Sequence, residues 1–309
     1  LLAPGFRRKN PCLGGGINAR LIDDVDADGQ GNEASSYNVN WHTSLIEVED
    51  AMEGYDRYDD ADLYNNPKFV KMFYANIPLI SSGYTPQIGD SSRTLEKDYW
   101  ATQNQMIKGF ERLKDPVFAQ VLYLMNGNSE VGLHYGIETK SPERLEQEVK
   151  AVIDTYGTLN ADSDLMANFG FAILRDGDSF ENGNIATRKN TKRDVWMYFG
   201  SNGGHGHKDT LNLGMTAFGL NFMPDLGYPE LTGKQPNRLQ WVSSTLSHNT
   251  VMVDVDEMSQ GRVVKTQLGE QKVVDEPRGN VYHFDNTDKV KLIYVDASYV
   301  YNKTDVYRR

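Results

Sequence analysis

The run Gly203-Gly204-His205-Gly206-His207-Lys208-Asp209 holds the residues best suited to chemistry in this sequence. His205 and His207 stand two apart, so an extended backbone turns both imidazoles to one face. The glycines around them let a metal, a substrate or another chain approach the main chain closely. Two later residues can join them: Asp225, in Met223-Pro224-Asp225-Leu226-Gly227 at the end of a strand pattern, and His248, inside the strand-like stretch Ser244 to Asp254. Two histidines and one carboxylate on neighbouring strands make a reasonable zinc site, with a fourth position left for water or another side chain. Composition alone supports a second reading equally well, in which Asp225 and His248 are a buried hydrogen-bonded pair and the glycine-histidine run is only a tight loop. The single cysteine, Cys12, excludes a disulfide framework and a cysteine-based zinc cluster within the chain, so any metal must be held by histidines and carboxylates.

Other signals carry less. Asp24-Val25-Asp26-Ala27-Asp28-Gly29 imitates the start of an EF-hand loop, but Ser35 replaces the glutamate that should close it and no helix pair frames it, which argues against calcium. Arg188-Lys189-Asn190-Thr191-Lys192-Arg193 reads as a solvated basic turn that could join Lys208 and Arg238 along an anionic groove. His42, His134 and His283 have no partner context and read as surface or core histidines. Trp41, Trp100 and Trp241 read as core aromatics, with Trp241 the best candidate for a sugar platform. Asn302-Lys303-Thr304 is a glycosylation triplet by pattern only.

Ahead of the histidine run the apolar period is helical. Roughly 1–40 is loop-like, and then Trp41, Leu45, Val48, Met52 and Tyr55 share one helical face. Phe69, Phe73 and Ile77 repeat the pattern after Asn66-Pro67, where proline suits a first turn. Further helices are expected at about 98–113, at 116–126 and after Ser141-Pro142-Glu143, with Ser141 as cap. Past residue 165 the grammar becomes that of strands, expected at 169–174, 194–199, 246–254, 262–268, 272–275, 280–284 and 289–301. Helices followed by antiparallel strands predict an α+β multidomain chain, a helical domain over 1–164 and an antiparallel β-sandwich over 165–309.

The 309 residues are comfortable for two domains, and 39% hydrophobic with 17 Tyr, 12 Phe and 4 Trp is too apolar for disorder and too polar for a membrane protein. No apolar run approaches a transmembrane span. The opening Leu1-Leu-Ala-Pro-Gly-Phe-Arg-Arg-Lys does not read as a signal peptide, and the chain reads as processed or cut from something larger. Net charge −11 argues on first sight against nucleic acid or any polyanion. Yet residues 21–66 hold 13 acidic residues against one basic, and the remainder of the chain sits at +1. The acidity belongs to one helix and its approach, and leaves a cleft elsewhere free to take an acidic partner.

The blocks 203–213, Pro224-Asp-Leu-Gly-Tyr228 and Trp241 to Asp254 together resemble the central β-sandwich signature of the heparinase II/III family of polysaccharide lyases. Upstream, Asp28-Gly29 with Glu33, Ser35, Tyr37 and Asn38 resembles that family's segment in its (α/α) toroid, and Tyr84-Thr-Pro-Gln-Ile-Gly-Asp90 is a further familiar element. The resemblance implies the C-terminal part of a toroid followed by the sandwich, with the cleft between them. It implies Zn2+ on His207, Asp225 and His248, held as more structural than catalytic, with Tyr37 as catalytic tyrosine, Glu33 as its supporting carboxylate and His205 facing the substrate; beside these, Asn38, Lys208, Arg238 and Trp241 are expected to bind substrate. Two departures stand out: Asn38 occupies the place of a family histidine, and nothing before Tyr37 matches the family's upstream Asn-His pair.

Such a lyase removes the C5 proton of a uronate and expels the 4-linked oxygen, leaving a double bond without using water. Donors must steady the enolate-like carboxylate, and a Tyr with a lowered pKa can take or return the proton while a histidine acts opposite. The implied partner is an acidic polysaccharide, a glycosaminoglycan, alginate or similar polymer, with no nucleic acid or membrane partner, and with a homodimer left open. The implied location is periplasmic or secreted. Two rival readings remain: a zinc-dependent hydrolase with the same ligands, and a non-catalytic glycan-binding protein of the same fold.

Overall fold

The structure is a computed structural model that describes residues 16–31, 33–57, 61–82, 85–91, 101–133, 141–177, 192–201, 205–229, 236–256, 258, 262–265, 271–275, 278–301 and 303–309. Cys12, Tyr84, Trp100, His134, Arg188 to Thr191, Gly203, Gly204 and Asn302 lie outside the described residues. Six α-helices come first among these residues: α1 (Ile17–Asp24), α2 (Ser35–Met52), α3 (Pro67–Tyr74), α4 (Gln103–Leu113), α5 (Pro116–Met125) and α6 (Pro142–Tyr156). Side-chain caps start three of the six. Asn66 and Asp115 accept from the first backbone N–H groups of α3 and α5, each with Pro as first helical residue, and Thr102 with Gln105 forms a reciprocal capping box on α4. The cap expected from Ser141 is not made: its side chain bonds no backbone of α6, and the proline alone marks the start.

Two helical expectations shift. Residues 1–40 are not all loop, because α1 lies within them and α2 begins at Ser35. The Lys68 ammonium donates to the carbonyls of Ile22 and Val25, satisfying the C-terminal end of α1. The inward stripe of α2 is Ser35, Val39, His42, Ile46 and Glu49, one residue round from the stripe that apolarity alone selects. Trp41 and Leu45 are only half-buried, and Tyr55 is exposed beyond the helix end. The displacement costs polar burial, which neighbours offset. The Glu49 carboxylate accepts the Leu63 N–H at 2.8 Å. His42 takes the Gln105 amide at 3.3 Å and stands edge-on to Phe69 and Phe73. The acidic excess of this stretch is partly met by α4, whose Lys108 pairs with Asp50 and whose Arg112 lies against Glu49, Glu53 and Asp62.

The strands begin with β1 (Asp164–Met166), β2 (Phe171–Asp176), β3 (Arg193–Tyr198), β4 (Asn212–Ala217) and β5 (Leu220–Asn221), which form one antiparallel meander in sequence order. Pairs β6 (Arg262–Lys265) with β7 (Gln271–Asp275), and β8 (Asn280–Asn286) with β9 (Lys291–Asp296), follow. β4 and β5 fall outside the ranges expected above, where only the strand pattern ending at Asp225 marks this stretch, and the expected strand at 246–254 is a single 3-10 turn (Thr245–Ser247) followed by irregular chain with one bridge, Val253 to Asp256.

Alternation along the meander gives it two buried faces. Phe171, Ile173, Trp196 and Tyr198 point to the helical side and pack with Val39, Leu79 and Ile88. Ala172, Met197 and Phe199 point the other way, into a core with Val295, Ala297, Val300, Tyr301 and Tyr307 beyond β9. Gly214 faces Trp196 across the ladder, and a Cβ there would sit 1.9 Å from the indole, so only glycine lets that ring lie over β4. Polar residues on the helical face complete the seam. Buried Arg175 donates to the carbonyls of Pro78 and Ile80, Asp194 accepts from Ser81 and Ser82, and Asp28 accepts the N–H groups of Asn168 and Phe169.

Burial lowers the His42 pKa to about 3. An unfolded His42 binds a proton near pH 6.5 while the folded one does not, so its contribution to stability is present above that pH and is lost as pH falls towards 3. Replacing His42 by Phe is expected to flatten the acid side of the stability profile by up to about 4 kcal/mol between those limits, measured by urea unfolding at a series of pH values.

Candidate functional site

The site lies where the segment 85–91, following the helical α3 region, meets the histidine loop of the β half. Gly89 is left-handed (φ 63°), and a Cβ there would come 2.5 Å from the His205 carbonyl oxygen. That close approach lets the Asp90 N–H donate to the same oxygen at 2.7 Å. The Asp90 side chain then gathers three partners: its Oδ2 lies 3.1 Å from His205 Nδ1, its Oδ1 lies 3.1 Å from His207 Nε2, and Arg238 donates through Nε, at 3.0 and 3.1 Å, and through Nη2. Burial works against the charge on Asp90, but the hydrogen bonds from His207, Arg238 and His205 outweigh it and hold the carboxyl at about 2. His205 and His207 are therefore brought together, though not as neighbours on one face of a strand. They sit in a turn and loop, and both rings converge on one carboxylate.

Beneath this lies the expected metal triad. His207, Asp225 and His248 are buried, and one ligand atom from each lies within 4.8 Å of the others. His207 Nδ1 is 3.1 Å from His248 Nε2, which is 3.5 Å from Asp225 Oδ2. Ligands at zinc distances in a tetrahedron stand about 3.3 Å apart, the span that these values bracket. The outer partners fix the tautomers. Asp90 can only accept, so His207 places its proton on Nε2; the Ser244 carbonyl, 2.7 Å from His248 Nδ1, places the second ring's proton there. Both inner nitrogens of the neutral rings then present lone pairs to each other and to a carboxylate, a conflict that a metal ion between them, or a proton shared by the rings, relieves. The donor set fits zinc. Asp225 is held in turn by the Asn212 amide at 2.7 Å and the Gly227 N–H at 2.9 Å, and Asn212 Oδ1 accepts the Asn249 N–H. β4 thus carries the residue that orients one ligand. Asp209 is fully buried close to the triad, which pushes its carboxyl up to about 6.

Above the triad, the Tyr37 ring of α2 stacks on His205, with centroids 3.7 Å apart and planes 7° from parallel. The His205 side chain is 38% exposed, so the pair opens to solvent while its far side is fixed by Asp90. The Tyr37 hydroxyl is not activated by a lowered pKa. Burial raises it, and Asp90, Tyr228 and Glu33 raise it further against the pull of Arg238. Glu33 is exposed near this pair. Asn38, expected at the substrate, spends its amide on Gln30 Oε1 and the Glu33 carbonyl, and so braces the turn that leads into Tyr37. Arg238 and Trp241 share one π-helical turn, Arg238–Val242; Arg238 is largely committed to Asp90, while Trp241 is 47% exposed. Lys208 is half-buried, its N–H donating to the Ser243 carbonyl. Lys192 is buried beside the seam and Arg193 pairs with Asp176, so the described end of the basic cluster does not line this cleft.

Asp90 and Asp209 are the residues that sequence reasoning left without a role. Asp90 had a signal, as the last residue of a segment already marked as familiar; Asp209 had none beyond its place after His207.

Residues 158–309 match the family model described as heparinase II/III-like, C-terminal. This stretch is heparinase II/III-like. The fold agrees: the heparinase-like β half and the helices before it superpose on a crystal structure of heparinase III with a TM-score of 0.57 at 14% identity, covering 94% of this chain and 39% of that one. Heparan sulfate lyase HepC from Pedobacter heparinus matches with a TM-score of 0.52 at 17% identity, covering 91% and 36%. The heparinase-like chain therefore spans less than two fifths of the length of either structure. No curated protein matches the sequence.

Asp90→Asn keeps the shape of the side chain but can no longer accept at every oxygen position. It is expected to weaken zinc binding by about 10–100-fold, as outer-shell substitutions do, measured by competition with a chromogenic chelator.

Proposed function

We propose that the chain carries the catalytic cleft of a polysaccharide lyase that cleaves a uronate-containing acidic polysaccharide by β-elimination. The observation that carries this reading is the Tyr37–His205 stack, formed by residues from the helical and β halves, solvent-open on one side and anchored by Asp90 on the other. Elimination needs two proton-transfer groups on one sugar and no activated water, and the stack offers a phenol and an imidazole side by side.

Asp90 occupies His205 Nδ1, which leaves Nε2 for the substrate. In the ground state Nε2 can take the C5 proton, and the imidazolium that forms is stabilised by Asp90. The raised pKa of Tyr37 keeps its hydroxyl protonated at neutral pH, suiting it to donate to the departing 4-linked oxygen. Glu33 supports this by electrostatics on the Tyr37 hydroxyl, while Arg238, Lys208 and exposed Trp241 offer cations and a ring face to the polymer. Asn38 acts through the turn it braces. A zinc ion on His207, Asp225 and His248 supplies fixed positive charge that orders the loop bearing His205; no proton transfer above requires it. No helix among the described residues is long and apolar enough to cross a membrane. A polymeric substrate places the protein in the periplasm or outside the cell.

The test is a panel of acidic polysaccharides, from glycosaminoglycans to alginate, scored by ultraviolet absorbance of the new conjugated double bond. At least one polymer is expected to give absorbance, and Tyr37→Phe is expected to reduce the rate by at least about 100-fold. Cleavage without absorbance would mean hydrolysis, and full activity in Tyr37→Phe would remove the tyrosine from the mechanism.

A further inference from the structure

One buried group has no part in the reading above. Asp209 stands two residues after His207, is 0% exposed, and neither of its carboxylate oxygens has a hydrogen-bond partner among the described residues. Its electrostatic neighbours are His248, Asp225 and His207, the three members of the metal triad. A carboxyl removed from water without donors takes up a proton, and it stays ionised only where a nearby cation compensates.

Charge counting around the triad shows what compensates. Asp90 is matched by Arg238. Rings that ligate a metal through their inner nitrogens, with their outer N–H groups on Asp90 and the Ser244 carbonyl, bring no charge of their own. Asp225 and Asp209 remain, two carboxylates in a closed interior, and a divalent cation balances two negative charges. Asp209 does not belong to the group whose ligand atoms lie within 4.8 Å of one another, so it stands outside the coordination shell. We infer that Asp209 is an outer carboxylate of the metal site, supplying the second negative charge for a divalent cation without ligating it. The inference rests on the reading of the triad as a metal site and extends it to the metal's charge.

A distinctive consequence follows for Asp209→Asn, which removes the charge and keeps the volume. In the loaded protein the substitution takes away a favourable charge; in the stripped protein it takes away an unfavourable one. A residue that merely packs would shift both forms alike.

The experiment measures zinc affinity by chelator competition, and thermal unfolding with zinc and after chelation, for the wild-type chain and Asp209→Asn. The expected result is zinc binding weakened by about 10–100-fold, a variant at least as stable as wild type once stripped, and cobalt(II)-substituted protein whose absorption bands keep their positions. Unchanged zinc affinity in the variant, or an equal loss of Tm with and without zinc, overturns the inference while leaving the triad reading intact. Displaced cobalt bands overturn it by making Asp209 a ligand. Wild-type protein that takes up no zinc defeats the triad reading, and the inference with it. Should Asp209→Asn not fold, Asp209→Ser, smaller and also uncharged, is scored against the same outcomes.

Discussion

One carboxylate holds the site together. Asp90 comes from the segment that follows α3, and every partner its side chain gathers comes from the β half: His205, His207 and Arg238. The carboxylate does three things at once. It ties the histidine loop to the helical half, it orients the ring that Tyr37 covers, and it fixes the tautomer of the ring that heads the buried triad. Its low pKa keeps the carboxyl ionised at neutral pH, as a shared acceptor for these donors must be. Charge-assisted bonds to a buried acceptor are stronger than neutral ones, so this junction is stiff.

The architecture exists to bring that carboxylate to the loop. The five-stranded meander is buried on both faces, one against helices and the other against the layer that ends with β9. Arg175, Asp194 and Thr216 project from the helical face and bond to 78–82, the stretch just ahead of Asp90. The seam therefore fixes the start of the segment that delivers Asp90, while Gly89 fixes its close approach to His205. Ser36 of α2 donates to the Asp90 carbonyl at 3.2 Å, so the helix that carries Tyr37 is aligned on the same residue. The spacing of the site follows from packing: α2 delivers Tyr37, the histidine loop delivers both His205 and His207, and the chain after β5 and the 3-10 turn delivers Asp225 and His248.

Much of this was legible before any coordinates. Pro67 and Pro116 announced helices because proline fits a first turn, and the changed period after residue 165 announced strands. The triad was legible because Gly-His-Gly-His-Lys-Asp, Pro-Asp-Leu-Gly and Ser-His-Asn occur in one order. What remained hidden has physical causes. β4 reads Asn-Leu-Gly-Met-Thr-Ala, and its Asn, Gly and Thr face inward to hold a ligand, admit an indole and bond a serine. A strand whose buried face is polar has no alternating apolar signal. The stretch 246–254 has the opposite fault, since its apolar alternation is overridden by the turn that His248 needs to bond Ser244. The inward stripe of α2 was missed because His42 and Glu49 are buried with specific partners. The segment that ends at Asp90 is legible as a familiar block, but the role of Asp90 is not, because it is a set of contacts between distant segments.

With their outer N–H groups on Asp90 and the Ser244 carbonyl, His207 and His248 turn their inner nitrogens towards one another, and a metal bound between them would be ligated by both. Long-range 1H–15N correlation spectra of the histidine rings, recorded with zinc and after its removal, observe this directly. The account predicts that in the loaded protein His207 is protonated at Nε2 and ligated through Nδ1, and His248 protonated at Nδ1 and ligated through Nε2, with both patterns changing on removal. Ring nitrogens that ignore zinc, or that show the opposite tautomers, would contradict it.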